Sequence, residues 1–261
     1  MRTSGSRKLR PNLGVVESKV SAARIKQIKA LQQKKFRVES GTFVAEGHKV
    51  VREAVEAGME MLEVFGTERP EWLPAPVRFT PANVKDLDRM TGLRSAPGLL
   101  AVLAVPETTT PPPETGLLLA LDGIRDPGNL GTLLRTAEWF GATCVVASPD
   151  TVELTNPKVV QAAMGSAFRM PTYRTDLEPW LNACNRPVYL ADMGGEDALS
   201  APLEANAVLV IGSESHGIRV PSTHARITIP GSGPTESLNA GIAAGILLAR
   251  YRQLHPVTKP A

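Results

Sequence analysis

The chain contains no apolar run approaching the roughly 20 residues that a membrane-spanning helix needs. Its N-terminus is basic but has no apolar core of the kind a secretory signal carries, so the expected compartment is the cytoplasm. Cysteine is scarce. Cys144 and Cys184 are the only two, without the spacing of a zinc site, and neither a disulfide framework nor a metal is expected. Both common glycine-rich phosphate cradles are missing: there is no Gly-x-x-x-x-Gly-Lys-Ser/Thr, and no Gly-x-Gly-x-x-Gly follows a strand-like run. A generic nucleotide site is therefore disfavoured. Acidic residues are nearly absent from the first 37 positions, where Glu17 stands alone against 11 Lys and Arg. That stretch carries +10 and the remainder −7. A basic arm ahead of a mildly acidic body points to a polyphosphate partner, most simply a nucleic acid. A solvated tail accounts equally well for residues 1–15 alone.

What is present describes a globular chain. At 261 residues, with 43% apolar and 21% charged residues, one or two domains with a real core are expected. Residues 1–20 hold Gly, Ser and Pro with little periodicity and read as a basic flexible arm. Helical spacing of Ile25, Ile28 and Leu31 predicts a helix over 22–35 with a basic opposite face. Strands are expected at 42–45, 61–65, 77–80 and 99–105, with helices at 48–57 and 83–90, which together make a small α/β domain over 21–106. Pro111, Pro112 and Pro113 then mark a semi-rigid linker over 107–116.

From 117 to 256 a second α/β pattern follows. Strands are expected at 117–121, 143–147, 188–191, 207–211 and 226–229. Continuous apolar runs such as Ala207-Val-Leu-Val-Ile211 fit parallel strands buried on both faces. Helices are expected at 130–140 and 157–166, and at 238–253 with its start at Ser237; the last is apolar on most sides and so should be packed all round. Asn129 is placed to cap the 130–140 helix, with Thr132, Arg135 and Thr136 on its polar stripe. An Asn cap followed by a surface Arg is ordinary helix chemistry and marks no site by itself. Two further loops change its meaning. Gly212-Ser-Glu214-Ser-His216-Gly217 ends one strand, and Ile229-Pro-Gly-Ser-Gly-Pro-Thr-Glu-Ser237-Leu-Asn239 joins another to the last helix. Glycines at strand ends permit close ligand approach, and loops at the carboxyl ends of strands are where open α/β sheets bind ligands.

In order and spacing these three loops resemble the motifs of the SpoU (TrmH) family, S-adenosylmethionine-dependent RNA ribose 2′-O-methyltransferases. Phe43-Val-Ala-Glu-Gly47 looks like the family's L30e-type substrate-binding domain. The resemblance implies an α/β fold with a C-terminal trefoil knot, a homodimer and S-adenosylmethionine bound through Gly212, Ile229 and Leu238. It places Arg135 at the reacting 2′-hydroxyl, with Asn129 and Asn239 orienting backbone and substrate. Ser237 is expected to hydrogen-bond within the site, and Glu214 to hold Arg135 or the loop amides. Two departures stand out: Gly231 follows Ile229-Pro230 where Met is usual, and Ser215-His216 interrupts a commoner Gly-Glu-Gly. His216 is not part of the family motif. Ribosomal RNA is the favoured substrate, with transfer RNA open. A non-catalytic RNA-binding protein and a base methyltransferase of the same fold are the competing classes.

Overall fold

The computed structural model describes residues 20–106, 111–220 and 223–256. The basic arm, except for Val20, and residues 107–110 of the expected linker lie outside the described residues.

The first part begins with α1 (Ala22–Ala30), whose N-cap Ser21 accepts from the Arg24 amide at 3.2 Å. A single helix over 22–35 was expected, but the chain breaks at 31–33 and restarts as α2 (Lys34–Ser40). The break has tertiary causes. Buried Arg37 takes the Leu31 carbonyl at 2.9 Å, and Gln32 donates to Glu46 at 3.2 Å. β1 (Thr42–Glu46), α3 (His48–Glu56), β2 (Met61–Gly66), β3 (Phe79–Pro81), α4 (Val84–Met90) and β4 (Leu99–Ala104) follow. The sheet runs β1-β4-β2-β3, antiparallel except for the β2–β3 pair.

The second part contains β5 (Leu118–Asp122), α5 (Pro127–Trp139), β6 (Cys144–Ala147), α6 (Pro157–Ala163), α7 (Ser166–Arg169) and β7 (Thr172–Arg174). α8 (Leu177–Asn182), β8 (Val188–Asp197), β9 (Val208–Gly212), β10 (Ala225–Thr228) and α9 (Ala240–Leu254) complete it. All six strands are parallel, in the order β10-β8-β9-β5-β6-β7. Leu119, Leu121, Leu209 and Ile211 pack with α5 and α9 on one face, while Leu118, Ala120, Val208 and Val210 meet α8 on the other. Double-sided burial explains the unbroken apolar runs. β7 and α8 were not expected; at 3 and 6 residues they are too short for periodicity to register.

The two parts share a core across the linker. Val160 of α6, with Met164 and Phe168, packs into the cluster holding Phe43 and Leu103. Arg37, 2% exposed, reaches across to Glu153 at 2.7 Å, and Lys34 joins the same carboxylate at 3.1 Å. Removing one partner of a buried ion pair leaves an uncompensated charge, at a cost of about 3–5 kcal/mol. Glu153→Ala is expected to fall at the low end, about 3 kcal/mol, because Glu153 keeps some exposure. Denaturant midpoints would check this, and a shift below about 0.5 kcal/mol would mean the seam carries little energy.

Candidate active site

Three loops converge at the carboxyl edge of the parallel sheet. α5 starts three residues before the expected point, because Asp126 caps it by accepting from the Asn129 amide at 2.8 Å and Pro127 supplies a first turn that needs no amide donor. Asn129 is thus not the cap. It lies inside the first turn, and its side chain instead donates to Glu214 Oε1 at 3.0 Å.

α9 begins at Ala240 rather than Ser237. Asn239 caps it, its Oδ1 accepting from the Gly241 and Ile242 amides at 3.0 and 3.4 Å. Its other end donates to Asn129 Oδ1 at 2.9 Å and to Glu214 Oε1. The Ala240 amide also points at Glu214 Oε1, at 3.3 Å. α5 and α9 run side by side in the same direction. A Cβ on Gly241 would meet Thr132 Cγ2 at 2.9 Å, and Arg252 reaches the Phe140 carbonyl with Nε at 3.0 Å. Both helix N-termini therefore face one carboxylate, which their dipoles and free amides favour.

Glu214 sits on a tight turn after β9. Ser213 and Gly217 exchange backbone hydrogen bonds of 3.1 and 2.8 Å across it. The turn folds back so closely that a Cβ on Gly212 would come within 2.2 Å of the Gly217 carbonyl carbon. Beside it opens a cleft of about 300 Å³, lined by Gly212, Ile229 and Leu238 together with Glu214, Ser237 and His216. Asp192 and Met193 from β8 and Leu247 from α9 add to its walls. These three escaped sequence reading; the one available signal was that Asp192 closes the apolar run at 188–191. Apolar Ile211, Ile229 and Leu247 suit a ligand with a flat apolar ring, with the Glu214 carboxylate beside them, while the Asp192 carboxylate is already paired with Arg226.

Two expected contacts are not formed. Ser237 is exposed and makes no hydrogen bond among the described residues. Arg135 stands exposed on α5, and Glu214 does not hold it; among the described residues it has no hydrogen-bond or ion-pair partner. Glu214 is already engaged by Asn129, Asn239 and the Ala240 amide, which leaves Arg135 free. The helix 240–254 is also not packed all round: Ile242 is 56% exposed, on a different face from buried Ala240, Ala244 and Leu248. Further along the same edge, Arg219 holds the Asp150 carboxyl well below the usual carboxylate range, aided by Ser148 and Arg125. That stabilisation is present at neutral pH and is lost as pH falls below the ordinary range near ~4.

With this geometry, comparisons with known proteins are specific. Residues 116–249 match the SpoU rRNA Methylase family, and residues 22–89 the MRM3-like substrate binding domain. The 23S rRNA (guanosine(2553)-2′-O)-methyltransferase RlmP of Bacillus subtilis is 30% identical over 88% of this chain and 96% of its own length. The S-adenosylmethionine-bound rRNA methyltransferase structure from Sinorhizobium meliloti superposes with a TM-score of 0.82 at 29% identity, covering 94% of this chain and 100% of that one. A TrmH-family structure from Porphyromonas gingivalis gives 0.79 at 33% identity over 90% and 98% of the two chains. The fold and site define an S-adenosylmethionine-dependent RNA methyltransferase. The chain belongs to the SpoU rRNA methylase family.

Asn239 has two duties that can be separated. Asn239→Ala removes the α9 cap and should cost about 1 kcal/mol, whereas Asn239→Ser keeps a capping oxygen and should stay within about 0.5 kcal/mol of wild type. Both lose the bonds to Asn129 and Glu214. Chemical denaturation would check the pair, and equal stabilities would remove the capping role.

Proposed function

We propose that this chain methylates a ribose 2′-oxygen in ribosomal RNA. The observation that carries the reading is the joining of Asn129, Asn239 and Glu214, which lines the cleft, with Arg135 left unpaired further along the helix that carries Asn129. Gly212, Ile229 and Leu238, all on the cleft wall, would hold S-adenosylmethionine, mostly through backbone. When bound there, the cofactor supplies an electrophilic methyl group. A guanidinium stays protonated in proteins, so Arg135 is no base. Its role is to anchor an RNA phosphate and to stabilise charge developing on the ribose oxygen, the proton leaving to phosphate or water. Asn129 and Asn239 orient the loops and substrate, and Glu214 fixes both. Ser237, which lines the cleft with its hydroxyl unused, is positioned to meet a ligand.

The flanking parts fit the same reading. Residues 1–20 serve as a basic arm on RNA, 21–106 as the L30e-like substrate-binding domain, 107–116 as the linker and 117–256 as the methyltransferase domain. The +10 charge of the first 37 residues supports contact with RNA. The trefoil knot belongs to the loops after β9 and β10. In sheet order β10 lies beyond β8 from β9, and α9 then returns to pack with α5, an order that supports this reading. A homodimer is supported by the exposure of Trp139, Leu238 and Ile242 on or beside α5 and α9, at 84, 46 and 56%. The site of action is the cytoplasm. No helix among the described residues is long and apolar enough to cross a membrane.

Arg135→Ala tests the reading. It should lower single-turnover methyl transfer to ribosomal RNA by about 10²–10³-fold, the usual loss for one preorganised charge donor. S-adenosylmethionine should still raise the melting temperature as it does for wild type. A wild-type transfer rate for Arg135→Ala would remove this residue from the mechanism.

A further inference from the structure

The turn that carries Glu214 is held at both ends, and the hold on its exit has no part in the chemistry described so far. On entry, Gly212 pairs in register with Asp122 of β5. On exit, the Arg219 amide donates to Asp122 Oδ2 at 2.7 Å, and Arg219 Nε donates to Oδ1 at 3.1 Å, with Nη2 bonding the same oxygen. The guanidinium then spans to Asp150, with Nη1 and Nη2 at 2.8 and 3.0 Å. Asp150 is itself fixed by Ser148 at 2.8 Å and by Arg125 at 3.1 Å.

This is a built clamp rather than a surface ion pair. Asp122 is 2% exposed, so its carboxylate depends on the Arg219 cation for charge compensation. The guanidinium also lies against Gly123, where a Cβ would come within 2.8 Å of Arg219 Nη2. Gly123 has φ +67°, which a side chain would disfavour, so the backbone here leaves room for the fork. Asp122 and Gly123 lead into Asp126, which caps α5, and into Asn129, which donates to Glu214. One residue therefore ties the end of β5, the β6 loop and the exit of the Glu214 turn into one unit.

We propose that Arg219 is a positioning residue for methyl transfer, acting through Glu214. Its bonds to Asp122 and Asp150 hold the 213–219 turn where Glu214 reaches Asn129, Asn239 and the Ala240 amide. This rests on the cleft being the methyl-transfer site. Arg219 is not itself a cleft-lining residue and makes no hydrogen bond to Glu214, so its effect on the reaction travels through the turn, whose Gly217 and Ile218 line the cleft.

Arg219→Lys tests it. Lysine keeps a cation beside Asp122, and with it the fold, but loses the planar fork that bridges two carboxylates. Without cofactor, the Ala240 amide of Arg219→Lys should exchange with deuterium at least about tenfold faster than in wild type, since that amide donates to Glu214. Single-turnover methylation should fall by about tenfold in the Glu214 background but by less than about twofold in Glu214→Gln, because coupled residues are non-additive. Equal losses in both backgrounds, or an unchanged Ala240 exchange rate, would overturn the inference. Absence of methyl transfer by wild type itself would overturn the methyltransferase reading instead, and the exchange result would still decide the clamp.

Discussion

The structure turns on one carboxylate held between the amino ends of two parallel helices. Glu214 meets the first turn of α5 through Asn129 and the first turn of α9 through Asn239 and the Ala240 amide. Helix N-termini carry unsatisfied amides and partial positive charge, so an anion there is favoured without a salt-bridge partner. The arrangement needs α5 and α9 to run side by side in the same direction, although α5 follows the central strand β5 and α9 the edge strand β10. The glycine at the end of β9 is part of the same requirement. Any Cβ at Gly212 would collide with the returning backbone, and Glu214 would be displaced from both helices.

Arg135 stands free of this arrangement. A guanidinium beside an unengaged glutamate would pair with it, and a paired arginine is poorly placed to receive a phosphate. Here the glutamate is occupied by two asparagines and an amide. The arginine is left exposed on the same helix as Asn129, two turns of α5 from its start. Charge of the right sign is thereby kept exposed on the helix that supplies Asn129.

Much of this was legible in the sequence, for identifiable reasons. Both-face burial in the parallel sheet writes itself as unbroken apolar runs, so β5, β6, β8 and β9 were placed within a residue or two at their starts. The three loops could be recognised because their residue types are fixed by close backbone approach and by helix starts. What failed were local competitions. The 22–35 helix is broken where Arg37 takes the Leu31 carbonyl and Gln32 reaches Glu46 on β1. Asn129 lost the cap to Asp126 because a proline follows that aspartate. Glu214 was expected to hold Arg135 or the loop amides; it takes the Ala240 amide, and its further donor Asn239, 25 residues away in sequence, was beyond any spacing rule. The Asp122–Arg219–Asp150 clamp left no trace in periodicity at all, because its members come from the end of β5 and two separate loops.

The central claim is that this cleft methylates ribose oxygen and not a base. The most direct measurement uses S-adenosylmethionine carrying an isotopically labelled methyl group, with protein-free ribosomal RNA as acceptor, followed by alkaline hydrolysis. Alkaline cleavage needs a free 2′-hydroxyl, so label on a ribose oxygen should be recovered in an alkali-resistant dinucleotide. Label recovered only in mononucleotides, or no transfer to ribosomal RNA, would contradict the account.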